Sequence, residues 1–265
     1  MIFSHIDAHA HVQFDDYDTD RDEVIARAGQ QGIAHVNVGA DITSSSRAVV
    51  LTRTYAEGVF ATVGLHPTEK EVSTGINISA YRALAKERGV VAIGECGLDY
   101  FRLKGDENVE KKLQRDAFCA QIALAHEVKK PLMIHCRNAM SDLILLLREY
   151  RHQLNSIPGI MHFFSGSLED ARALLDMGFY FTFGGVITFS HDYDEVVKSI
   201  PLERILTETD APYVAPVPYR GKRNEPVFVL EVEKRIAELK NIPKEELAGH
   251  IMHNAERVFH ITLTQ

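Results

Sequence analysis

Cysteine is scarce. Cys96, Cys119 and Cys136 are the only three in 265 residues, too few and odd in number for a disulfide framework. They point to a reducing, cytoplasmic setting. Long apolar runs are absent too. None reaches the roughly 18 residues that span a bilayer, so no membrane-spanning helix is expected. The opening Met1-Ile2-Phe3-Ser4-His5 has no basic region followed by an apolar core, so no signal peptide is expected. Positive charge is not in excess either, the formal net charge being −8. Proteins that coat long nucleic acids non-specifically are usually basic, although an acidic enzyme can still hold a few phosphates in a local pocket. No Gly-rich phosphate loop follows the first strand-like run, which argues against an open, doubly wound sheet. No low-complexity linker or composition break divides the chain.

What is present is an ordinary globular composition, 45% hydrophobic and 25% charged. Short β-branched runs alternate with longer helical segments. Strands are expected at Ile2–His9, Ile33–Val38, Val59–Val63, Val90–Gly94, Leu132–His135, Gly159–Phe163, Phe179–Phe183 and Arg204–Thr207. Helices are expected at Asp20–Gln31, Thr43–Glu57, Ile78–Arg88, Asn108–Lys129, Ala139–Arg151, Leu168–Met177, Tyr193–Ser199, Val227–Lys240 and Pro243–His253. The run Thr43-Ser44-Ser45-Ser46 reads as a helix cap. Strict alternation implies parallel strands joined by right-handed crossovers. Eight such units predict an α/β fold, one (β/α)8 TIM barrel over residues 1–265 with its site at the C-terminal ends of the strands.

Polar residues gather at those strand ends. The first strand closes on Asp7-Ala8-His9-Ala10-His11, where alternation places Asp7, His9 and His11 on one side. Later strands end in Gly64-Leu65-His66-Pro67, Gly94-Glu95-Cys96-Gly97-Leu98-Asp99, His135-Cys136-Arg137, His162-Phe163-Phe164-Ser165-Gly166 and Glu208-Thr209-Asp210-Ala211-Pro212. Any one of these histidines taken alone reads as a buried structural residue; their shared position at one rim makes a metal site the better reading. Four imidazoles and two carboxylates suit two divalent cations better than one. A carboxylate such as Glu95 can bridge two ions about 3.5–4 Å apart, and such a pair acidifies water and clamps phosphoryl oxygens. Asp210 can orient that water and accept its proton.

These stretches give the chain a family likeness. It resembles the TatD-family metal-dependent deoxyribonucleases, within the amidohydrolase-like metallohydrolases. The likeness continues through Pro216-Val217-Pro218-Tyr219-Arg220-Gly221-Lys222-Arg223-Asn224-Glu225-Pro226 and Asn254-Ala255-Glu256-Arg257-Val258-Phe259, and so covers nearly the whole chain. The resemblance implies His9, His11, Glu95 and Asp210 around one metal and Glu95, His135 and His162 around a second. The ions would be Mg²⁺, Mn²⁺ or Zn²⁺. It also implies a phosphodiester substrate, DNA ends or single strands, cleaved from 3′ to 5′ by a two-metal-activated water. Glu95 and Asp210 are then the catalytic candidates, and Asp7 is a backbone anchor or a group behind the ligands.

Substrate contacts are expected from His66, Arg137, Arg220, Lys222 and Tyr213. For His66 a structural role beside Pro67 competes with substrate contact. Arg223 reads equally well as a surface charge, and Asp99 as a loop cap or as the partner of a histidine. Phe163 and Phe164 can stack bases, but core packing is their default. Strand alternation turns Cys96 and Cys136 away from the site. A rival reading is a binuclear amidohydrolase-type enzyme acting on a carbon centre, in amide, ester or aminoacyl-tRNA hydrolysis. Many such enzymes use a modified lysine as the bridge, where this chain offers Glu95. A non-catalytic binding barrel fits less well, because unused buried polar groups carry a desolvation penalty. Neither a membrane nor an obligate protein partner is indicated.

Overall fold

The computed structural model describes residues 3–55 and 57–263. In chain order the elements are β1 (His5–Ala10), α1 (Arg21–Gln30), β2 (Ile33–Val38), α2 (Ile42–Thr54), β3 (Val59–Val63), α3 (Glu71–Thr74) and α4 (Ile78–Ala85). There follow β4 (Val90–Asp99), α5 (Glu107–Val128), β5 (Leu132–Arg137), α6 (Met140–Glu149), β6 (Gly159–Met161) and α7 (Leu168–Asp176). The chain ends with β7 (Tyr180–Phe183), α8 (Asp194–Ser199), β8 (Ile205–Thr207), α9 (Val229–Lys240) and α10 (Lys244–Phe259). The eight strands form one parallel sheet in sequential order, the (β/α)8 barrel that the alternation predicts.

The sheet closes between its first and last strands. Ala10 and Ala211 form an isolated parallel bridge. Asp210 N–H donates to His9 O at 2.9 Å, and His11 N–H donates to Ala211 O at 2.7 Å. The buried Asp7 carboxylate reinforces this seam by accepting from the Thr209 backbone N–H at 2.9 Å and from the Thr209 hydroxyl. The core lies inside and around the barrel. The strand residues Ile6, Val36, Ile93, Ile134, Ile160, Phe181 and Leu206 pack with helix residues such as Phe118, Ile122, Leu143, Leu147 and Ile251. Each such fully buried side chain contributes about 1.5–3 kcal/mol.

Local chemistry sets the helix starts. Asp41 caps α2 in a reciprocal capping box with Ser44, so the helix opens at Ile42 and the cap precedes the serine run. Asp106 caps α5, and Ser167 with Asp170 boxes the start of α7. Other boundaries also move. The expected start of β1 at Ile2, and Ala56 within the second expected helix, lie outside the described residues. α10 runs on past His253 to Phe259, because Ala255, Val258 and Phe259 continue its apolar stripe and Asn254 donates to Leu202 O and Ile205 O. β4 reaches Asp99, five residues beyond its expected end.

Two register shifts shape the strand ends at the C-terminal rim. On β1, Asp7 to Ala10 spans the interval that His35 to Asn37 spans on β2; on β4, Ile93 to Cys96 spans that of Leu132 to Ile134 on β5. Each inserts one extra residue, as a β-bulge does, and re-aims the side chains beside it. On β4 the shift falls at Gly94, whose φ is +145° and where a Cβ would lie 2.3 Å from Met133 O. Only glycine fits there.

His35 on β2 is buried and neutral. Asn37 Nδ2 donates to its Nδ1 at 3.1 Å, and burial pushes its pKa from 6.5 down to about 4. Because the folded value lies below the unfolded one, the unfolded chain gains the proton first as pH falls. His35 therefore contributes stability above pH 6.5 that is lost on acidification, about 2 kcal/mol of it between pH 7 and pH 5. Chemical denaturation at both pH values checks this: wild type should lose about that much stability relative to His35→Gln, and an unchanged difference overturns the assignment.

Candidate metal centre

β1 and β4 deliver the centre of the site. His9, within the β1 bulge, and His11, just past it, turn their Nε2 atoms toward each other, 3.2 Å apart. Asp210, just past β8, sits at φ +56°, a region that aspartate tolerates better than most residues. Its Oδ1 lies 3.6 Å from His9 Nε2 and 3.4 Å from His11 Nε2. Glu95 Oε2 lies 3.6 Å and 3.9 Å from the same two nitrogens. Four ligands at about 2.1 Å in a regular tetrahedron stand about 3.4 Å apart. The five separations here, 3.2–3.9 Å, match that spacing.

The other oxygen of Glu95 faces a second group. Oε1 lies 3.0 Å from His135 Nδ1, 3.6 Å from His162 Nε2 and 3.5 Å from His66 Nε2. Glu95, His135 and His162 form one cluster of the size that holds an ion, and His9, His11 and Glu95 form another. The donor set, nitrogen-rich with shared carboxylates, fits a borderline divalent cation in each. One carboxylate thus presents one oxygen to each histidine group.

The far side of most of these imidazoles is held. His11 Nδ1 donates to Val38 O at 2.7 Å, and its ring stacks on Phe14 at 4.4 Å. His135 Nε2 pairs with Asp99 Oδ2 at 3.1 Å, and His162 Nδ1 with Glu208 Oε2 at 2.9 Å. The rings of His9 and His162 stack 3.5 Å apart. Such outer partners fix ring orientation and tautomer. His66 differs. Thr68 N–H donates to its Nδ1 at 3.2 Å, which leaves the hydrogen on Nε2, facing Glu95 as a donor.

Electrostatics follow from this crowding. Burial alone would raise the pKa of Glu95, but the charge of His162 and the hydrogen bonds of His135 and His9 outweigh it and hold it well below the usual carboxylate range. Asp210 is lowered in the same way, burial being overcome by His11, His162 and His9. Burial would lower His162, yet Glu208 and Glu95 raise it to about 10. His11 and His135 are raised for like reasons. Burial lowers His66 to about 3, so it stays neutral. The pocket is a nest of buried anions that calls for positive charge, and metal binding to such sites displaces protons.

The expected substrate contacts are spread more widely. His66 joins the buried group. Tyr213 is 51% exposed, its ring 6.4 Å from that of His11. Arg137 lies over the ring of Phe101 at 3.8 Å, and Arg220 over that of Phe189 at 4.0 Å. Lys222 is exposed and makes no side-chain hydrogen bond or ion pair among the described residues. Arg223 pairs with Asp20 and Glu225 and stacks on Tyr17, which makes it structural. Phe164 is buried edge-on to Phe181, in the core. Asp99 takes both of its expected roles. Oδ2 holds His135, while Oδ1 accepts from Phe101 N–H and Arg102 N–H at 3.0 and 3.1 Å. Asp7 bonds to Thr209 and to His9 N–H, as an anchor does. Cys96 is fully buried in the apolar core. Sequence reasoning gave no role to Glu208, Phe14, Phe101, Arg102 or Phe189. For Glu208 a signal existed: it stands two residues before Asp210, a spacing that places both at one strand end.

A barrel with buried histidines and carboxylates at its C-terminal rim defines a metal-dependent hydrolase. The chain belongs to the TatD-related DNase family, whose model matches residues 6–260. It is 42% identical over 258 residues to the uncharacterized metal-dependent hydrolase YabD of Bacillus subtilis, a match covering 96% of this chain and 98% of that one. It is 33% identical over 250 residues to the 3′-5′ ssDNA/RNA exonuclease TatD of Pantoea ananatis, covering 91% and 94%. The crystal structure of YjjV, a TatD homologue from Escherichia coli K12, superposes with a TM-score of 0.87 at 28% identity over 99% of this chain and 100% of that one. No helix among the described residues is long and apolar enough to cross a membrane.

Glu208 gives this geometry a test. Glu208→Gln keeps the side-chain volume and one acceptor but removes the charge facing His162. Metal affinity, measured by equilibrium against graded chelator, is expected to fall about 10–100-fold. Unchanged affinity would reduce Glu208 to a packing residue.

Proposed function

We propose that this enzyme is a phosphodiesterase that shortens DNA from the 3′ end, with residues 1–265 acting as one catalytic domain. In this reading His9, His11, Glu95 and Asp210 hold one divalent cation, and Glu95, His135 and His162 hold a second. The observation that carries it is the division of Glu95, Oε2 toward His9 and His11 and Oε1 toward His135 and His162. The name of the Pantoea relative supports the choice of a nucleic-acid end.

Divalent cations held there would supply Lewis acidity, acidifying a water and offsetting charge on the phosphoryl oxygens. The protein's own groups do the rest. Asp210 turns Oδ1 toward His9 and His11, leaving Oδ2 to take the proton of the attacking water. His66, its hydrogen on Nε2, donates to a phosphoryl oxygen brought beside Glu95. Arg137 and Arg220 at the rim contact flanking phosphates, which positions the strand without reading its sequence.

The test uses metal-loaded protein, 5′-labelled single-stranded DNA and a panel of amides and esters, with Mg²⁺, Mn²⁺ and Zn²⁺ supplied in turn. Stepwise shortening of the labelled strand is the expected result. Turnover of amides or esters with the DNA left intact overturns the reading in favour of chemistry at carbon. Glu95→Ala should lose both metals and at least about 10³-fold in turnover, measured by metal analysis and by the same assay. Normal metal content in that variant would refute the shared role of Glu95.

A further inference from the structure

The mouth of the barrel carries aromatic rings that the hydrolytic chemistry does not use. Phe101, Phe189 and Tyr213 are 58, 42 and 51% exposed. They stand in the loops after β4, β7 and β8, all at the C-terminal face, where the buried histidines open. Single exposed apolar residues are common, but three large rings around one mouth mark an interaction surface.

Two of the rings are backed by cations. The Arg137 guanidinium lies 3.8 Å from the centroid of Phe101, and that of Arg220 4.0 Å from that of Phe189. Each guanidinium lies over its ring, while both phenylalanines stay exposed as residues. Arg102, next to Phe101, is half exposed, with Nη1 4.0 Å from Asp99 Oδ2. These groups are held in place. Asp99 Oδ1 accepts from Phe101 N–H and Arg102 N–H, and Val217 N–H donates to Thr188 Oγ1, tying the Phe189 loop to the Arg220 loop. Fixed platforms bind with less ordering cost than mobile ones.

Ring faces paired with guanidinium groups match a ligand that offers flat π faces and phosphates together. Unpaired nucleotides do so; a duplex hides its base faces in its own stack. Charge alone recruits little here, because the chain is acidic overall, with a formal net charge of −8. We propose that Phe101–Arg137, Phe189–Arg220 and Tyr213 form a base-stacking rim and are the residues by which this chain holds unpaired nucleotides, with little sequence preference. This proposal rests on the phosphodiesterase reading above.

The experiment measures binding of labelled oligo(dT), of an abasic strand of equal length and of a blunt duplex, by fluorescence anisotropy in chelator. Wild type should bind oligo(dT) more tightly than either other strand. Phe101→Leu and Phe189→Leu keep apolar bulk but lose the ring, and each should cut the ratio of oligo(dT) to abasic affinity about 10-fold. Phe101→Tyr and Phe189→Trp should restore the ratio, with unfolding midpoints of all variants unchanged. A ratio that survives both leucine substitutions, in protein that does shorten DNA, overturns the rim and leaves the catalytic reading intact. Wild-type protein that neither binds nor shortens any of the three strands overturns the catalytic reading, and the rim with it.

Discussion

One buried carboxylate sets the terms for the site. Glu95 is only 5% exposed and remains an anion. Removing a carboxylate from water costs several kcal/mol unless charge and hydrogen bonds compensate. Here the compensation comes from histidines on both sides, and these in turn need their own outer partners. Val38 O, Asp99 and Glu208 supply them for His11, His135 and His162. The bulges in β1 and β4 follow from the same demand, since a regular strand could not aim these side chains inward at one depth.

Much of this was legible in the sequence because two simple periodicities carry it. Alternation of strands and helices predicts the barrel, the rule that barrel sites lie at strand C-termini marks out the polar residues of one rim, and the family resemblance narrows these to His9, His11, Glu95, His135, His162 and Asp210. The structure gathers the four histidines around Glu95, with Asp210 against His9 and His11. What was not legible depends on contacts between distant parts of the chain. Glu208 faces His162 across 46 residues, and nothing local to Glu208 announces that partner. The stacking of Arg137 on Phe101 and of Arg220 on Phe189 likewise needs two loops in place. The run of β4 to Asp99 was hidden by its glycines, which read as a strand end where the chain in fact bulges and continues. α10 was cut short at His253, although Asn254 holds β8 from inside that helix.

The site has two zones of different character. The inner zone is buried and densely charged, so each group there has its orientation and proton set by neighbours. The outer zone is exposed, aromatic and cationic. Asp99 belongs to both, with one oxygen on His135 and the other on the loop of Phe101 and Arg102. A shift of that loop is therefore felt at His135 through a single side chain, without any relay through the barrel wall.

The seam between β1 and β8 has a consequence for how the enzyme comes into being. His9 and His11 stand almost at the start of the chain, and Asp210 stands some four-fifths of the way along it. Asp7 and Thr209 lock these two regions together. A nascent chain leaving the ribosome therefore carries His9 and His11 for most of its synthesis before their aspartate partner exists. The middle histidines and Glu95 emerge in between. The part of the site that pairs Asp210 with His9 and His11 is therefore complete only once the end of β8 has met β1.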